Sequence, residues 1–382
     1  MNVRLNAKEI NLNSKIEITG SKSETNRLLL LKALYPNIVI ENASNSDDSE
    51  VMNSALTANH IIDVHHAGTA MRFLTAYFAS QENKTVTLTG SSRMKERPIK
   101  ILVDALIQLG AKIEYLENDG FPPIKISGQK LNSCRVSLPA NVSSQYISAL
   151  LLIAPSLQNG LELELIGEIT SIPYINMTLK LLNEINVETT FVNNKIVVKP
   201  LDQDPKSKTL IVESDWSSAS YFYSIIALSK AGTQIELSNF KENSLQGDAI
   251  LATIYEQMGV ETHFNDGKIT LVKTQNSIKQ NIVLDLNSAP DIAQTIAVTA
   301  FGLGIGCQLT GLHTLKIKET DRLEALQIEL SKLGAPISVT NDSLKIEPSK
   351  SINSNQNIAT YNDHRMAMAF APLALKKNIN IE

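Results

Sequence analysis

The sequence has few of the residues that mark several classes of protein. Only two of its 382 residues are cysteines, and Cys134 and Cys307 belong to no CxxC or His/Cys cluster, which indicates a reducing compartment and no metal site. The 35 Lys and Arg do not outnumber the 39 Asp and Glu, which argues against binding to nucleic acid or to a membrane surface. No apolar run approaches the ~18 residues of a membrane span, and the first residues lack the pattern of a signal peptide. These absences predict a soluble, cytoplasmic protein.

A second absence concerns glycine in the segment "GSKSETNR", residues 20–27. A Walker A loop needs two glycines around a four-residue gap, followed by Lys and Ser or Thr, and this segment has one glycine, so nucleotide binding is not predicted. Ser21 and Glu24 predict a capping box at the start of a helix. Lys22 and Arg27 then lie near the positive end of the helix dipole, which indicates a bound anion.

Four segments share a pattern in which a helix ends at Gly or Asn and two strands joined by a polar turn follow. Because Gly and Asn tolerate the left-handed conformation that ends a helix, each segment predicts a helix packed on a small sheet. Successive units lie roughly 75 residues apart. Extending that period backwards leads to residue 35, where a single strand and loop indicate a degenerate copy. The residues that end the four helices are Gly110, Asn186, Gly259 and Gly334.

The domain boundaries must come from the repeats, since no linker rich in Pro, Gly or Ser divides the chain. The candidate boundaries are the turn at Thr19-Gly20 and the stretch from Val212 to Asp215. We expect a two-lobed α/β protein in which one lobe, residues 20–213, is inserted into a discontinuous lobe of residues 1–19 plus 214–382. The economical position for a ligand site in such a protein is the cleft between the lobes.

Five further segments place small or hydrogen-bonding residues before an apolar helix, and all but the Ser-Ser-Gln segment add Arg or Lys. One such cation is usually a solvated surface residue, and Ser before a helix is usually a cap. Their recurrence in an acidic protein predicts a shared, small polyanionic ligand. The segments are "HAGTAMRFL" (66–74), "SSRMKERPI" (91–99), "NVSSQYISALLL" (141–152), "KETDRLEAL" (318–326) and "YNDHRMAMAF" (361–370).

Two acidic residues are candidates for proton transfer. Asp291 opens a predicted helix, and Glu319 lies three residues before Arg322. An ordinary acid at a helix start and a salt-bridged surface acid are the alternative interpretations of these two residues. Asp363 is more readily interpreted as a structural hydrogen-bonding partner of its neighbour His364.

These motifs, in this order, resemble those of the 5-enolpyruvylshikimate-3-phosphate (EPSP) synthase family. The resemblance runs from Gly20 to Leu375 and rests on the combination of "GSKS.TNR", "AGTAMR", "RMKERP", "SSQ", "KETDR" and "NDHRMAM". It implies a two-domain inside-out α/β barrel built from six copies of a βαβαββ-type unit, whose lobes close over shikimate 3-phosphate and phosphoenolpyruvate. It also implies a monomer without cofactor or metal.

The resemblance implies roles for individual residues. Glu319 and Asp291 would transfer protons, with Lys22 as a charge-stabilising partner or acid, and Gly68 would be the point of contact with glyphosate. The residues that would hold shikimate 3-phosphate are Lys22, Ser23, Arg27, Ser143, Ser144, Gln145, Ser171, Tyr174, Asp291 and Lys318. Those that would hold phosphoenolpyruvate are Lys22, Gly68, Arg97, Gln145, Arg322 and Arg365.

Several features depart from the family pattern. The segment before "HAGTAMR" is short, which predicts a lost hairpin in one repeat. Thr314 replaces an asparagine that contacts the substrate phosphate, and Ile172 replaces a lysine in "S.PY". The printed sequence ends at "KKNINIE", before a segment in which the family has another phosphate-facing lysine. Either the sequence omits a tail or phosphoenolpyruvate binding is weakened.

Two alternative functions stay open from the sequence. The UDP-N-acetylglucosamine enolpyruvyl transferases share this chemistry but use a loop cysteine, and the corresponding loop here, "SSRMKERP", has none. The other alternative is a catalytically inactive, anion-binding relative of the family.

Overall fold

The protein is described by a computed structural model, which covers residues 3–6, 10–140, 143–167, 169, 172–201 and 205–382. The chain divides into two compact units. The inserted unit is Thr19–Glu213, and the discontinuous unit joins Met1–Ile18 to Ser214–Glu382. Within the described ranges, no helix has both the length and the apolar character that crossing a membrane would require.

Both strands and α-helices occur throughout the described residues. The strands are Val3–Leu5 (β1), Asn13–Ile16 (β2), Ile38–Glu41 (β3), His60–Asp63 (β4), Thr85–Thr89 (β5), Lys112–Tyr115 (β6), Ile124–Ser127 (β7), Arg135–Pro139 (β8), Leu161–Ile166 (β9), Thr189–Val192 (β10), Lys195–Val198 (β11), Lys208–Ile211 (β12), Gln234–Ser238 (β13), Val260–Asn265 (β14), Lys268–Lys273 (β15), Asn281–Asp285 (β16), Gly306–Thr310 (β17), Ile337–Val339 (β18), Leu344–Ile346 (β19), Gln356–Ile358 (β20) and Ile379–Ile381 (β21). The helices are Lys22–Leu34 (α1), Asp47–Thr57 (α2), Gly68–Ala79 (α3), Ser92–Lys95 (α4), Lys100–Leu109 (α5), Ser144–Ile153 (α6), Ile172–Glu184 (α7), Trp216–Leu228 (α8), Leu251–Glu256 (α9), Ala293–Leu303 (α10), Arg322–Lys332 (α11) and His364–Phe370 (α12).

Four sheets repeat one arrangement, in which a parallel strand pair is extended by an antiparallel hairpin. Their strand orders are β4-β5-β7-β6, β10-β11-β9-β8, β14-β15-β13-β2 and β16-β17-β19-β18. Before each hairpin the chain turns at a residue with positive φ: Gly110 (106°), Asn186 (67°), Gly259 (77°) and Gly334 (91°). The four repeats that the sequence predicts are therefore confirmed, because each helix ends at a residue that tolerates the left-handed conformation.

The degenerate copy near residue 35 is also confirmed. Strand β3 pairs in parallel with β12 in a two-stranded sheet, and no antiparallel hairpin among the described residues extends it. A sixth sheet joins β1, β21 and β20, so the N-terminal strand pairs antiparallel with β21 near the other end of the chain.

Two largely apolar helices of the inserted unit, α3 and α6, are buried on almost all sides. In the inserted unit, every residue of α3 except Thr69 is buried, as is every residue of α6 except Gln145. Strand β9 instead alternates, with Leu161, Leu163 and Leu165 buried, as expected for a sheet with one solvated face. Each buried Leu or Phe contributes about 1.5–3 kcal/mol. Helices that are apolar all round must be buried, and their first turns carry the sequence motifs.

Candidate active site

The start of α1 is tied to the end of the inserted unit. The Ser21 amide donates to the Glu213 carbonyl (2.7 Å), and the Glu213 amide donates to Glu24 Oε2 (3.2 Å). Ser21 is the N-cap residue, but its side chain makes no capping hydrogen bond. The predicted capping box is therefore wrong: the Glu24 carboxylate accepts from the buried backbone at Glu213, which would otherwise lose a hydrogen bond.

Arg27 is a buried cation held by neutral oxygens. Its Nε donates to Thr178 Oγ1 (2.8 Å) and its Nη2 to Ser148 Oγ (3.0 Å). Its Nη1 donates to the Ser23 carbonyl (2.7 Å), and the ring of Tyr174 lies 5.9 Å from its guanidinium. Burial lowers the pKa of Arg27 to about 10. A buried guanidinium with such partners retains positive charge that a bound anion can balance.

Ser148 and Thr178 are partners of Arg27 that the sequence analysis missed. Each lies four residues, one helical turn, after a motif residue, namely Ser144 and Tyr174. Both side chains are completely buried, and the Thr178 hydroxyl also donates to Ser148 Oγ (3.0 Å). A hydroxyl within an apolar helix, one turn after a motif, was the available signal.

Gly68 and Arg97 touch at the start of α3. A Cβ on Gly68 would lie 2.6 Å from Nη1 and 2.7 Å from Nη2 of Arg97. Buried Arg72 donates to the Gly68 carbonyl (3.3 Å) and to the Pro98 carbonyl (3.0 Å). Arg72 therefore holds the backbone on both sides of this contact, and only glycine leaves room for the Arg97 guanidinium.

The remaining motif residues of the inserted unit also lie at helix starts. Lys22 Nζ is 3.5 Å from Asp48 Oδ1. The Ser143 side chain accepts from the Gln145 amide (3.4 Å) as the N-cap of α6, which begins at Ser144, and Gln145 Nε2 donates to Thr69 Oγ1 (3.1 Å). Ser171, which the family resemblance singles out, lies outside the described residues.

The discontinuous unit gathers three carboxylates around Arg322, the first residue of α11. The guanidinium donates from Nη1 to Asp291 Oδ1 (3.0 Å), from Nη2 to Glu319 Oε2 (2.7 Å) and from Nε to Asp363 Oδ2 (2.7 Å). Burial opposes the charged form, but the three carboxylates prevail and raise the pKa of Arg322. The sequence predicts Asp291, Glu319 and Arg322 as site residues, and the structure brings them together.

Asp291 is in turn surrounded by three cations. Besides Arg322, Lys318 Nζ lies 3.4 Å from its Oδ1 and Arg365 Nη2 lies 3.7 Å from its Oδ2. Burial opposes the charge of Arg365, yet its neighbours, Asp291 foremost, raise its pKa well above the usual value. Burial lowers the pKa of Lys318, with Asp291 acting against it. The side chain of Asp291 remains 18% exposed, so this carboxylate is in contact with solvent.

Asp363 takes part in this cluster, so its interpretation as a local partner of His364 is too narrow. Its side chain accepts from the Arg365 amide (2.9 Å) as the N-cap of α12, and it also binds Arg322. An Asp two residues before a site arginine, at a helix start, was the signal that sequence reasoning passed over. Thr314, in the 3₁₀-helix before Lys318, has a buried hydroxyl with no hydrogen-bond partner among the described residues.

Comparison with known proteins identifies the family. The family model described as EPSP synthase (3-phosphoshikimate 1-carboxyvinyltransferase) matches residues 53–382. The chain belongs to the EPSP synthase family. A 3-phosphoshikimate 1-carboxyvinyltransferase from Bacteroides fragilis (strain YCH46) is 46% identical over 369 residues, which cover 95% of this chain and 89% of the relative. The enzyme of the same name from Histophilus somni (strain 2336) is 36% identical over 396 residues, or 95% and 90% of the two chains.

Solved EPSP synthases share the fold. The 2.37 Å structure of EPSP synthase from Acinetobacter baumannii superposes with a TM-score of 0.78 at 20% sequence identity, covering 100% of this chain and 94% of that chain. A second structure of EPSP synthase from the same organism gives a TM-score of 0.77. The two-domain α/β fold that the family resemblance implies is therefore confirmed.

Proposed function

We propose that the protein is a 3-phosphoshikimate 1-carboxyvinyltransferase. It transfers the enolpyruvyl group of phosphoenolpyruvate to the 5-hydroxyl of shikimate 3-phosphate and releases phosphate. The observation that carries this proposal is the cluster in which Asp291 and Glu319 share Arg322, with Lys318 and Arg365 alongside. Partly exposed carboxylates among cations supply both parts of such a reaction, proton transfer and stabilisation of anionic substrates. Family membership supports the same conclusion.

The reaction needs four proton transfers, since two protons are removed from the substrates and two are added to them. The 5-hydroxyl oxygen forms a bond to C2 of phosphoenolpyruvate as it loses its proton, and the methylene carbon gains a proton to become a methyl group. In the resulting tetrahedral intermediate the bond from C2 to the phosphate oxygen breaks as that oxygen takes up a proton, and the methyl group gives up a proton to restore the double bond. We assign these transfers to Asp291 and Glu319, with Lys22 as a charge-stabilising partner and the alternative acid.

In this proposal the inserted unit serves mainly to bind the substrates. Residues 20–213 form the lobe that carries the "GSKS", "AGTAMR", "RMKERP" and "SSQ" motifs, and residues 1–19 plus 214–382 form the lobe that carries "KETDR" and "NDHRMAM". Shikimate 3-phosphate is held by Lys22, Ser23, Arg27, Ser143, Ser144, Gln145, Ser171 and Tyr174 of the first lobe, and by Asp291 and Lys318 of the second. Phosphoenolpyruvate is held by Lys22, Gly68, Arg97, Gln145, Arg322 and Arg365.

The proposal includes the setting in which the enzyme works. We infer a cytoplasmic monomer that acts on two small anionic substrates without a cofactor. Binding two reactants in one orientation replaces a bimolecular encounter with a local step, which lowers the barrier without further chemistry.

The experiment is a steady-state assay of phosphate release. The protein is supplied with phosphoenolpyruvate and either shikimate 3-phosphate or UDP-N-acetylglucosamine, with each acceptor alone as the control. We expect saturable phosphate release with shikimate 3-phosphate and formation of its enolpyruvyl ether. Turnover with UDP-N-acetylglucosamine alone would favour the related transferase, and binding of both substrates without turnover would favour an inactive relative.

A further inference from the structure

A buried carboxyl group with no part in the proposed reaction lies behind Arg365. Asp248 is in the 3₁₀-helix Gly247–Ile250 and is 3% exposed. Its Oδ2 accepts a hydrogen bond from the Ser217 hydroxyl, while its Oδ1 is buried without a hydrogen-bond partner among the described residues. Burying a carboxylate in this way costs free energy unless it interacts with other charges, so the groups around Asp248 determine whether it is charged.

Ser217 connects this carboxyl group to Arg365. Arg365 Nη2 donates to Ser217 Oγ (3.3 Å), and the same hydroxyl donates to Asp248. The other side of the guanidinium faces Asp291, whose carbonyl accepts from Nη1 (3.2 Å). The Ser217 hydroxyl thus links the buried carboxyl group, through two hydrogen bonds, to an arginine that the proposed function assigns to phosphoenolpyruvate.

The segment that carries Asp248 is fixed to the start of α8, where Ser217 is the second residue. The amide of Trp216 donates to Gln246 Oε1 (3.0 Å), and Gln246 Nε2 donates to the Ser214 carbonyl (2.9 Å). Because Gln246 is itself buried, these two bonds hold the two segments in register. Asp248 therefore has a fixed place relative to Ser217, as a positioning group requires.

We propose that Ser217 and Asp248 are positioning residues for Arg365, and that the charge of Asp248 makes the binding of phosphoenolpyruvate at Arg365 dependent on pH. This inference rests on the proposed function, since it takes Arg365 as a phosphoenolpyruvate ligand. Neither residue touches the substrate in this account: Ser217 orients the guanidinium, and Asp248 acts through Ser217 and through its charge.

The charges around Asp248 determine the direction of the pH effect. Burial, and then the negative charge of Asp291, raise the pKa of Asp248 to about 7. The hydrogen bond from Ser217 and then the charge of Arg365 oppose this rise, and Asp215 at the N-cap of α8 adds to it. An anion bound at Arg365 brings further negative charge and raises this pKa again. The complex therefore favours protonated Asp248, and by linkage phosphoenolpyruvate binds more tightly as the pH falls through neutrality.

The test compares kinetic constants across pH. KM for phosphoenolpyruvate and kcat are measured at saturating shikimate 3-phosphate from about pH 6 to about pH 8, for the parent protein and for Ser217→Ala, Ser217→Thr and Asp248→Asn. Ser218→Ala is the matched control, because it removes a hydroxyl from the next residue of α8. Among the described contacts, the Ser218 hydroxyl makes no hydrogen bond to Arg365. Thermal melting of each variant separates a folding defect from a binding defect.

We expect Ser217→Ala to raise KM for phosphoenolpyruvate by about three- to tenfold, the size of effect that the loss of one typical hydrogen bond produces. Ser217→Thr keeps the hydroxyl and should recover most of that loss. Asp248→Asn keeps an acceptor for Ser217 but cannot ionise, so its KM should change less with pH than that of the parent. The pH dependence that remains in Asp248→Asn comes from other groups, including the substrate phosphate.

The outcomes separate this inference from the proposed function. If the parent protein releases no phosphate from the two substrates, the proposed function fails and the role of Arg365 fails with it. If the parent is active but Ser217→Ala and Asp248→Asn both match the parent and Ser218→Ala across pH, the inference alone is overturned. The inference is also overturned if Ser217→Ala raises the KM values of both substrates equally and Ser217→Thr does not reverse this.

Discussion

Arg27 in the inserted unit and Arg322 in the discontinuous unit are both buried, and they are held in opposite ways. In the inserted unit Arg27 and Arg72 donate to hydroxyl and carbonyl oxygens, whereas in the discontinuous unit Arg322 donates to three carboxylates. Burial lowers the pKa of Arg27 to about 10, while the surrounding carboxylates raise the pKa of Arg322. The first arrangement retains positive charge for an incoming anion. In the second arrangement carboxylates already balance the guanidinium, and the proposed function assigns two of them, Asp291 and Glu319, to proton transfer.

The largest effect should come from removing the shared arginine of the balanced cluster. Arg322→Met leaves Asp291, Glu319 and Asp363 close together without their common partner, and breaking a buried ion pair in this way costs about 3–5 kcal/mol. The loss should shrink as the pH falls, because protonation relieves the repulsion among the carboxylates. Urea denaturation at neutral and acidic pH measures both effects.

Arg27→Met is the matched variant in the other unit. Here no group of carboxylates is left unpaired. The loss should come from the buried hydroxyl and carbonyl oxygens that lose their donor, about 1–3 kcal/mol, which is smaller than the loss expected for Arg322→Met. A loss of stability as large as that of Arg322→Met would break the comparison, since it would mean that Arg27 is held as strongly as its carboxylate-bound counterpart.

The next effect concerns proton transfer. Glu319→Gln keeps an oxygen acceptor for Arg322 but removes a proton-transfer group, so kcat should fall by about 10²- to 10⁴-fold with little change in KM. Glu324→Gln, at an exposed position of α11, is the control and should behave like the parent. Arg97→Ala in the inserted unit should instead chiefly raise KM for phosphoenolpyruvate. Phosphate-release kinetics distinguish the two patterns, and an unchanged kcat in Glu319→Gln would remove Glu319 from the mechanism.

The repeats were readable from the sequence because local chemistry decides them. Gly110, Asn186, Gly259 and Gly334 each adopt the left-handed conformation that ends a helix, and this preference belongs to the residue itself. The same period leads to a unit near residue 35, and the single strand and loop in the sequence there predicted the degenerate copy in which β3 pairs with β12. The capping box at Ser21 failed because the partner of Glu24 is Glu213, 189 positions away in the chain, and no local pattern reveals a contact of that range.

The candidate site was predictable where its residues belong to motifs and hidden where they do not. Asp291, Glu319 and Arg322 belong to motifs that begin two helical segments, and the structure brings them together. Ser148, Thr178 and Asp248 reach the site residues through packing of one segment on another, so their role depends on the tertiary structure. Single polar residues in apolar surroundings mark such positions, but the sequence does not say what they face.

Asp248 should make the stability of the discontinuous unit depend on pH. Burial raises the pKa of Asp248 from 3.8 to about 7, so between about pH 4 and about pH 7 the folded state holds a proton that the unfolded chain has lost, and stability falls as the pH rises. Asp248→Asn removes this dependence. The variant should be more stable than the parent at about pH 8, by on the order of 4 kcal/mol.

Thermal melting of Asp248→Asn and the parent across pH checks this expectation. The advantage of the variant should disappear in acid, where Asp248 is protonated in both states. If the advantage of Asp248→Asn did not change with pH, the substitution would act through packing. The stability of the discontinuous unit would then depend on pH no more than that of the inserted unit.

A smaller effect is expected at the contact between Gly68 and Arg97. In Gly68→Ala the new methyl group would lie 2.6 Å from Arg97 Nη1, so the guanidinium must move. KM for phosphoenolpyruvate should rise by about tenfold, the loss that accompanies a weakened hydrogen bond to a charged group, with kcat and thermal stability little changed. The control is Ser80→Ala, at the residue that follows the last residue of α3. Gly232→Ala is less suitable, because Gly232 has a φ of 87° and alanine would strain the backbone there. An unchanged KM in Gly68→Ala would show that Arg97 can move without loss of binding.

The smallest effect tests the neutral partners of Arg27. Thr178→Val keeps the shape of the side chain but removes the hydroxyl that accepts from Arg27 Nε and donates to Ser148. KM for shikimate 3-phosphate should rise by about three- to tenfold, the size of effect that the loss of one typical hydrogen bond produces. KM for phosphoenolpyruvate should stay close to that of the parent. Substrate kinetics with each substrate varied in turn measure the difference. If Thr178→Val changed kcat instead, the neutral oxygens around Arg27 would belong to the chemistry, and the division between a binding unit and a proton-transferring unit would not hold.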